Sequence, residues 1–571
     1  MQRKLYLSLV IGAAAVAMLS MSSCSKKMAL GADNFTINPS PLEAVGGQVP
    51  VTINGRFPEK FMKKKAMVTV TPELRYEGGK ALGSSATFQG EKVEANNQTI
   101  SYRVGGNYTM KSNFKYVPEM QKSDLYLTFD TRVGKKSVKV PDVKIGEGVV
   151  ATSELADRAI RGGGAAFAPD AYQHVIQQKQ ESNIKFLIQQ AKIRTSELKS
   201  VSVQEFIKTL KDIRADRERK ELENVEISAY ASPEGGLDLN TRLAKDREKN
   251  TQDYVKQQMK QAGLEGMVDT RYTAEDWDGF QQLVQASNIQ DKDVILRVLS
   301  MYQDPEEREH QIRNLSAAFT ELTKEILPEL RRSRISVNYD LIGRSDDEIQ
   351  DQYKKDASQL SVEELLYSAT LTENKSEQEA IYNRTAEIYP NDYRALNDLA
   401  TMAFDEGNYN KARTLLQRAV GVKADAAEPN INLGILSMLD NDLTMAQNYL
   451  SKGTESPALS QALGNLYLKQ GNYAQAVNAF GNTTSNSAAL AQLLNKDYMK
   501  AAETLSRMDG KDALTNYLKA IIAVRTGNNS TAVEKLREAL AQDESLAKYA
   551  AKDLEFKKLA NDATFRIITN Q

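Results

Sequence analysis

Asparagine or aspartate recurs every 34 residues in the carboxy-terminal part of the chain, at Asn374, Asn408 and Asp442. The series continues at shorter or irregular intervals, at Asn472, Asp497 and Asn528. Four positions after each of the last five stands an alanine, and eight positions after stands a large apolar residue: Ala412, Ala446, Ala476, Ala501 and Ala532, then Leu416, Leu450, Phe480, Leu505 and Leu536. Alanine lets two helices approach closely and the larger residue fills the groove between them, so the recurrence predicts stacked helical hairpins.

This register resembles that of tetratricopeptide repeats, with about six units between Val362 and Asp543. We assign residues 362–571 to this repeat region and expect residues 548–571 to form a capping helix. The resemblance implies an all-α solenoid whose groove receives an extended peptide or a helix from a protein partner. An ordinary bundle of alanine-rich helices is the alternative.

The amino terminus reads as an export signal. Arg3 and Lys4 precede a largely apolar run, and two serines stand before Cys24. This predicts a signal peptide over residues 1–23. The stretch 21–24 (MSSC) resembles a bacterial lipobox, which implies that Cys24 carries lipid (palmitate) and anchors the chain to the outer membrane on its periplasmic side. An ordinary secretory signal with a stray cysteine is the alternative, although Cys24 is the only cysteine and has no disulfide partner within the chain.

Two further segments follow a linker at residues 24–33. Residues 34–150 contain short alternating apolar runs separated by turns rich in glycine, proline and asparagine, which predicts an antiparallel β-sandwich. Residues 151–169 include the stretch AIRGGGAAFAP. Three glycines can approach a phosphate, but no phosphate-loop motif surrounds them, so we interpret 151–169 as an interdomain linker.

Residues 170–344 alternate between strand and helix patterns. Strands are predicted at 183–188, 225–231, 267–273 and 334–341, with helices at 203–216 and 239–261. Residues 277–330 form a helical insertion within this α/β domain. Residues 345–361 read as a second linker.

The segment VEISAYASPEGGLDLNTRLAKDRE resembles the peptidoglycan-binding motif of OmpA-like domains, with matches at Gly235, Asn240, Leu243 and Arg247. The resemblance implies binding of a diaminopimelate stem peptide, with Arg247 on its carboxylate. In the family an aspartate complements the ammonium of the ligand. The corresponding residue here is Ser232, and either Glu234 or Asp238 lies close enough in sequence to replace that charge.

The amino-acid composition argues against nucleic-acid binding, metal binding and catalysis. Lys plus Arg (74) nearly equals Asp plus Glu (75), which argues against nucleic-acid binding. Two histidines and one cysteine leave little material for a metal site or for nucleophilic catalysis, so we expect no enzyme, no metal and no cofactor. The sequence favours a lipid-anchored periplasmic scaffold that binds the cell wall and a protein partner. An accessory subunit of an outer-membrane assembly or secretion complex is the alternative, and a cell-wall hydrolase has only the location in its favour.

Overall fold

The computed structural model describes residues 30–289, 291–314, 316–454, 456–508 and 512–569. The predicted signal peptide and Cys24 lie outside these residues. The chain divides into two compact units. Unit 1 combines the residues up to Pro169 with those from Asn374 onward, and unit 2 comprises Asp170–Glu373.

The amino-terminal part of unit 1 is rich in β-sheet. Its strands are β1 (Phe35–Asn38), β2 (Leu42–Glu43), β3 (Gln48–Phe57), β4 (Ala66–Tyr76), β5 (Gly79–Leu82), β6 (Ala86–Gly90), β7 (Gln98–Ile100), β8 (Gly106–Lys115), β9 (Ser123–Val133), β10 (Lys136–Lys139), β11 (Val143–Glu147) and β12 (Val149–Val150). One sheet has the order β1-β3-β8, and a larger sheet has the order β10-β9-β4-β6-β7 with β5 and β11 at its margin. Strand β3 alternates buried and accessible residues, and its buried side chains share one core with those of β4 and β9.

The carboxy-terminal part of unit 1 is helical. Helix α1 (Ala156–Gly162) lies in the chain between the sheet-rich part and unit 2, whose nine helices are described below. The remaining helices are α11 (Lys375–Ile388), α12 (Arg394–Asp405), α13 (Tyr409–Val422), α14 (Ala427–Leu439), α15 (Leu443–Leu450), α16 (Leu459–Lys469), α17 (Tyr473–Phe480), α18 (Asn486–Leu494), α19 (Tyr498–Ser506), α20 (Ala513–Arg525), α21 (Asn529–Gln542), α22 (Ser545–Ala550) and α23 (Ala563–Ile568). Helices α12 to α21 pair consecutively into five hairpins. The predicted tetratricopeptide-type repeats are therefore confirmed.

The recurring asparagine and aspartate residues stand at the N-caps of the second helices. Asn408, Asp442, Asp497 and Asn528 each accept a hydrogen bond from a backbone N–H in the first turn. An N-cap side chain satisfies a helix donor that has no partner within the helix, which explains the residue type at this position. The alanines and large apolar residues of the pattern are all buried, as the helix-packing argument requires.

The end of the chain differs from the single capping helix that the sequence predicts for residues 548–571. Helix α22 is followed by a 3₁₀ helix at Leu554–Leu559 and then by α23. Asp553 and Asp562 each accept a backbone N–H bond at the start of a new element, so each residue interrupts the preceding helix. Phe556, Leu559 and Phe565 still reach the core of the repeats.

Unit 2 has one four-stranded sheet in the order β13 (Val175–Lys185), β16 (Arg332–Ile342), β14 (Lys220–Tyr230) and β15 (Met267–Thr273). Only β14 and β15 run parallel. Its helices are α2 (Val201–Ala215), α3 (Leu237–Ala262), α4 (Trp277–Ala286), α5 (Lys292–Met301), α6 (Pro305–Asn314), α7 (Ser316–Glu325), α8 (Leu327–Leu330), α9 (Asp346–Asp356) and α10 (Val362–Thr370). Helices α2 and α3 cover the sheet, and α4–α8 form the predicted insertion around Trp277 and Phe280.

The segments 151–169 and 345–361, predicted to be linkers, both contain helices. In residues 345–361, Ser345 and Glu348 form a reciprocal capping box that starts α9. Helix α10, which the sequence assigns to the first repeat, belongs to unit 2. In residues 151–169, a 3₁₀ helix at Thr152–Leu155 leads into α1, and the cores of the repeats enclose several apolar side chains of this segment.

Candidate ligand-binding site

Arg247 lies on α3 with its guanidinium buried beneath the end of β14. Its Nε donates to the carbonyl of Gln190 (3.0 Å), Nη1 to that of Tyr230 (2.8 Å) and Nη2 to that of Leu187 (3.4 Å). The side chain is 1% exposed, and its guanidinium carbon is 5.1 Å from the ring centre of Phe186. Arg247 is therefore a buried cation whose described hydrogen-bond partners are backbone carbonyls.

A buried cation of this kind is unusual, and its environment changes its titration. Burial, and to a lesser extent the charge of neighbouring Arg331, lower the pKa of Arg247 from 12.5 to about 10, and the charge of Glu234 opposes both effects. The guanidinium remains charged near neutral pH. It holds three strand-end and loop carbonyls while contributing positive charge to the space beside it.

The loop between β14 and α3 brings the next predicted residues together. The Ser232 hydroxyl donates to Glu234 Oε1 (2.7 Å), and the Asn240 amide donates to the carbonyl of Gly235 (2.5 Å). Glu234 also accepts two hydrogen bonds from Arg331, at 2.7 and 2.9 Å. The loop is thus fastened to the helix by Asn240 and to the far end of the insertion by Arg331.

A cavity of about 290 Å³ opens at this loop. Its lining residues come from the loop, one face of α3, the segment after β13, and the insertion: Ile188, Gln189, Ala231, Ser232, Glu234, Gly235, Leu239, Asn240, Leu243, Arg247, Arg313, Phe319 and Thr323. The structure therefore gathers Ser232, Glu234, Asn240 and Arg247 around one cavity. Asp238 is exposed in the first turn of α3 and does not line it.

The insertion supplies the part of the site that the sequence analysis missed. Arg313, Phe319 and Thr323 form one wall of the cavity. Arg313 Nη2 donates to the carbonyl of Glu234 (2.5 Å) and to Glu309, and its side chain is half exposed. No motif in residues 277–330 marks these residues, because only the fold of the insertion places them against the loop.

The balance of charge favours an anionic group in the cavity. Among the residues that line the cavity, two arginines, Arg247 and Arg313, stand against one carboxylate, Glu234. Arg331, Glu275 and Glu309 lie behind the lining and contact Glu234, Asn240 and Arg313, respectively. Glu234 is already paired with Arg331, whereas Arg313 is half exposed and contacts Glu234 and Glu309 through the same nitrogen, Nη2. A planar guanidinium matches a carboxylate in a bidentate manner. Among the described residues, no group of three or more histidine, cysteine, aspartate or glutamate side chains is arranged to hold a metal ion.

The stacked hairpins of unit 1 have the consecutive helix pairing and continuous core that are typical of the tetratricopeptide-type repeat fold. No protein-family model matches the sequence, and no curated protein is similar to it. Similar solved structures include a tetratricopeptide repeat protein from Parabacteroides merdae, at 12% identity over 39% of this chain and 90% of that chain, with a TM-score of 0.27. Pseudomonas aeruginosa pilF matches at 17% identity over 38% of this chain and 98% of its own, and yeast Tom70 at 11% over 66% and 87%, with TM-scores of 0.27 and 0.25.

Within the described ranges, no helix combines the length and the apolar character that a membrane span requires.

Proposed function

We propose that unit 2 binds a carboxylate-bearing peptide of the bacterial cell wall, within a scaffold whose repeats serve protein binding. The observation that carries this proposal is the gathering of Ser232, Glu234, Asn240 and Arg247 around one cavity with an accessible arginine, Arg313, at its side. The same four residues belong to the segment that resembles the motif of OmpA-like peptidoglycan-binding domains. A stem peptide offers the carboxylate that this cationic cavity favours.

The proposal includes anchoring by lipid at Cys24, on the periplasmic side of the outer membrane. Its support is the amino-terminal sequence alone: a basic start, an apolar run and a single cysteine. A lipid tether and a wall-binding domain on one chain would raise the local concentration of any partner bound by the repeats.

Sedimentation with purified peptidoglycan tests the proposal. The full-length protein in detergent is expected to sediment with the wall material, and Arg313→Ala is expected to reduce the bound fraction several-fold. Arg242→Ala is the matched control, because Arg242 is exposed on α3 and lies outside the cavity lining. A folded wild-type protein that stays in the supernatant would contradict wall binding.

One observation favours a second candidate, an accessory subunit of an outer-membrane assembly or secretion complex. Arg247 already has three carbonyl partners, and Glu234 is already paired with Arg331, so neither charge is free for a ligand. Under this alternative the cavity no longer binds a cell-wall peptide. A stable partner that co-purifies equally with the wild type and with Arg313→Ala, in the absence of wall sedimentation, would support it.

A further inference from the structure

Residues 151–169, here called the strap, run along the repeats from the last hairpin towards the first. Its polar contacts reach both ends of the repeats: Ala151 O accepts from Tyr549 Oη (3.1 Å), Asp157 pairs with Lys469 (2.6 Å), Arg158 pairs with Asp543 (2.8 Å), and the guanidinium of Arg161 lies 5.2 Å from the ring centre of Tyr409. A segment of 19 residues thereby touches successive repeats along the solenoid.

The first half of the strap is held by apolar packing. Leu155, Ala156, Ala159 and Ile160 are buried in the cores of the repeats. Helix α1, which carries three of these residues, packs on α14, α16 and α18. These are the first helices of their hairpins, so the strap lies on the face of the solenoid that the first helices form.

The second half of the strap is held by its main chain. The N–H of Ala166 donates to Asn432 Oδ1 (2.7 Å). The carbonyl of Ala166 accepts from the amides of Asn397 (2.9 Å) and Asn432 (2.8 Å) and from Thr401 Oγ1 (3.0 Å). The N–H of Ala168 donates to Asp398 Oδ1 (2.8 Å). Gly164, at φ +71°, lies between α1 and this part of the strap, a conformation that suits glycine.

The four side chains that hold the strap are themselves buried. Asn397, Asp398, Thr401 and Asn432 are each at most 2% exposed. Buried amides and carboxyls without partners are costly, so these residues need a main chain against them. These four side chains contact backbone atoms of the strap, which every amino-acid sequence offers. They therefore select an extended segment with small side chains and depend little on its particular sequence.

We propose that this face of the repeats is a receptor for an extended main chain, that the strap occupies it in cis, and that a partner peptide of the same chemistry binds only where the strap has been displaced. The strap is covalently attached and already anchored by α1, so its effective concentration exceeds that of a free peptide at micromolar levels. This receptor role is independent of wall binding by the cavity of unit 2.

A labelled peptide of residues 162–170 (GGGAAFAPD) serves as the probe, with the full-length protein as receptor. Ala166→Pro removes the N–H that Asn432 accepts, and is expected to speed hydrogen exchange at Ala168 at least tenfold. The variant is expected to bind the probe at least tenfold more tightly than the wild type. Adding Asn432→Leu to Ala166→Pro is expected to abolish this binding, whereas adding Asn410→Leu, at an exposed asparagine of α13, is expected to retain it.

Several outcomes would overturn the proposal. Equal binding of the probe by the wild type and by Ala166→Pro would show that the strap does not occlude the receptor. Ala168 staying protected from exchange in Ala166→Pro, or binding that survives Asn432→Leu, would show that the main-chain contacts do not hold the segment. Absence of binding by a variant whose Ala168 exchanges freely, and whose circular dichroism matches the wild type, would also overturn it.

Discussion

Glu234 and Arg331 form a bidentate ion pair in which the two side chains are only 14% and 11% exposed. The pair joins the loop after β14 to the end of the helical insertion, 97 residues further along the chain. The pair has two consequences. Glu234, the carboxylate in the cavity lining, is already paired and is not available to an ammonium group of a ligand, and the loop that carries Glu234 is held in place.

Arg331→Met tests the structural consequence. Breaking a buried ion pair costs about 3–5 kcal/mol, and the remaining exposure here reduces the expected loss of unfolding free energy to about 2–3 kcal/mol. The fluorescence of Trp277, the only tryptophan of the chain, reports denaturant unfolding of unit 2. Combining Arg331→Met with Glu234→Gln is expected to recover most of the loss, because no unpaired charge is then buried.

A solvent-exposed pair of the same unit provides the control for this experiment. Lys179 and Glu181 are about half exposed, so Lys179→Met is expected to cost less than about 1 kcal/mol. A double variant that is no more stable than Arg331→Met alone would contradict the role assigned to the pair.

The N-cap residues of the repeats lead to a second prediction. Asp442→Ala removes the side-chain acceptor for the N–H of Met445 and is expected to cost about 1 kcal/mol. Asn472→Ala is the matched control, since Asn472 occupies the same position of its repeat but makes no capping hydrogen bond. Thermal unfolding followed by helical circular dichroism measures both, and a larger effect at Asn472 would refute the capping explanation.

The buried carboxyl of Asp553 predicts a dependence of stability on pH. Burial is the main cause that raises its pKa from 3.8 to about 7, and the charge of Glu555 adds to it. The backbone N–H of Glu555, the hydroxyl of Tyr517 and the charge of Arg525 act in the opposite direction. The folded protein therefore holds this proton more tightly than the unfolded chain, and the free energy of unfolding falls as the pH rises from about 4 to about 7.

Asp553→Asn removes this titration and keeps one of the two oxygens that accept from Tyr517 (2.8 Å) and from the backbone N–H of Glu555 (3.0 Å) in the native protein. The fall in melting temperature between pH 5 and pH 8 is expected to be smaller in the variant. Part of the fall persists, because burial also raises the pKa of Asp398 to about 7. An unchanged fall would show that Asp553 is ionised in the folded protein throughout this range.

Lipid anchoring at Cys24 predicts the outcome of a fractionation experiment. Cys24→Ala removes the only thiol of the chain and is expected to move the protein from the membrane pellet to the soluble fraction. Cys24→Ser is expected to behave alike, because the hydroxyl is no substitute for the thiol in lipid attachment. Membrane pelleting that persists in both variants would contradict the anchor.

Local patterns were sufficient to predict much of the architecture. Most strands and helices of unit 2 lie close to the ranges predicted from hydrophobic periodicity, because the spacing of apolar residues determines which face of an element is buried. The exception is β13, which was predicted at 183–188 but spans Val175–Lys185. For the same reason Asn240, Leu243 and Arg247, spaced three and seven residues along α3, line one cavity. The 34-residue recurrence likewise reflects a local requirement, the capping of each second helix.

Contacts between residues that are distant in sequence determine the features that local patterns did not predict, namely the position of the strap and the arginines that the insertion brings to the cavity. The strap has a glycine- and alanine-rich sequence without periodicity, and it resembles a linker because its partners, such as Asn397 for Ala166, are 231 residues away. Arg313 lines the cavity, and Arg331 reaches Glu234, only because the insertion folds back onto the loop of Glu234. The spacing of residues along a chain sets the face that each occupies within its own element, whereas the pairing of buried polar groups depends on which elements meet, and only the tertiary structure determines that.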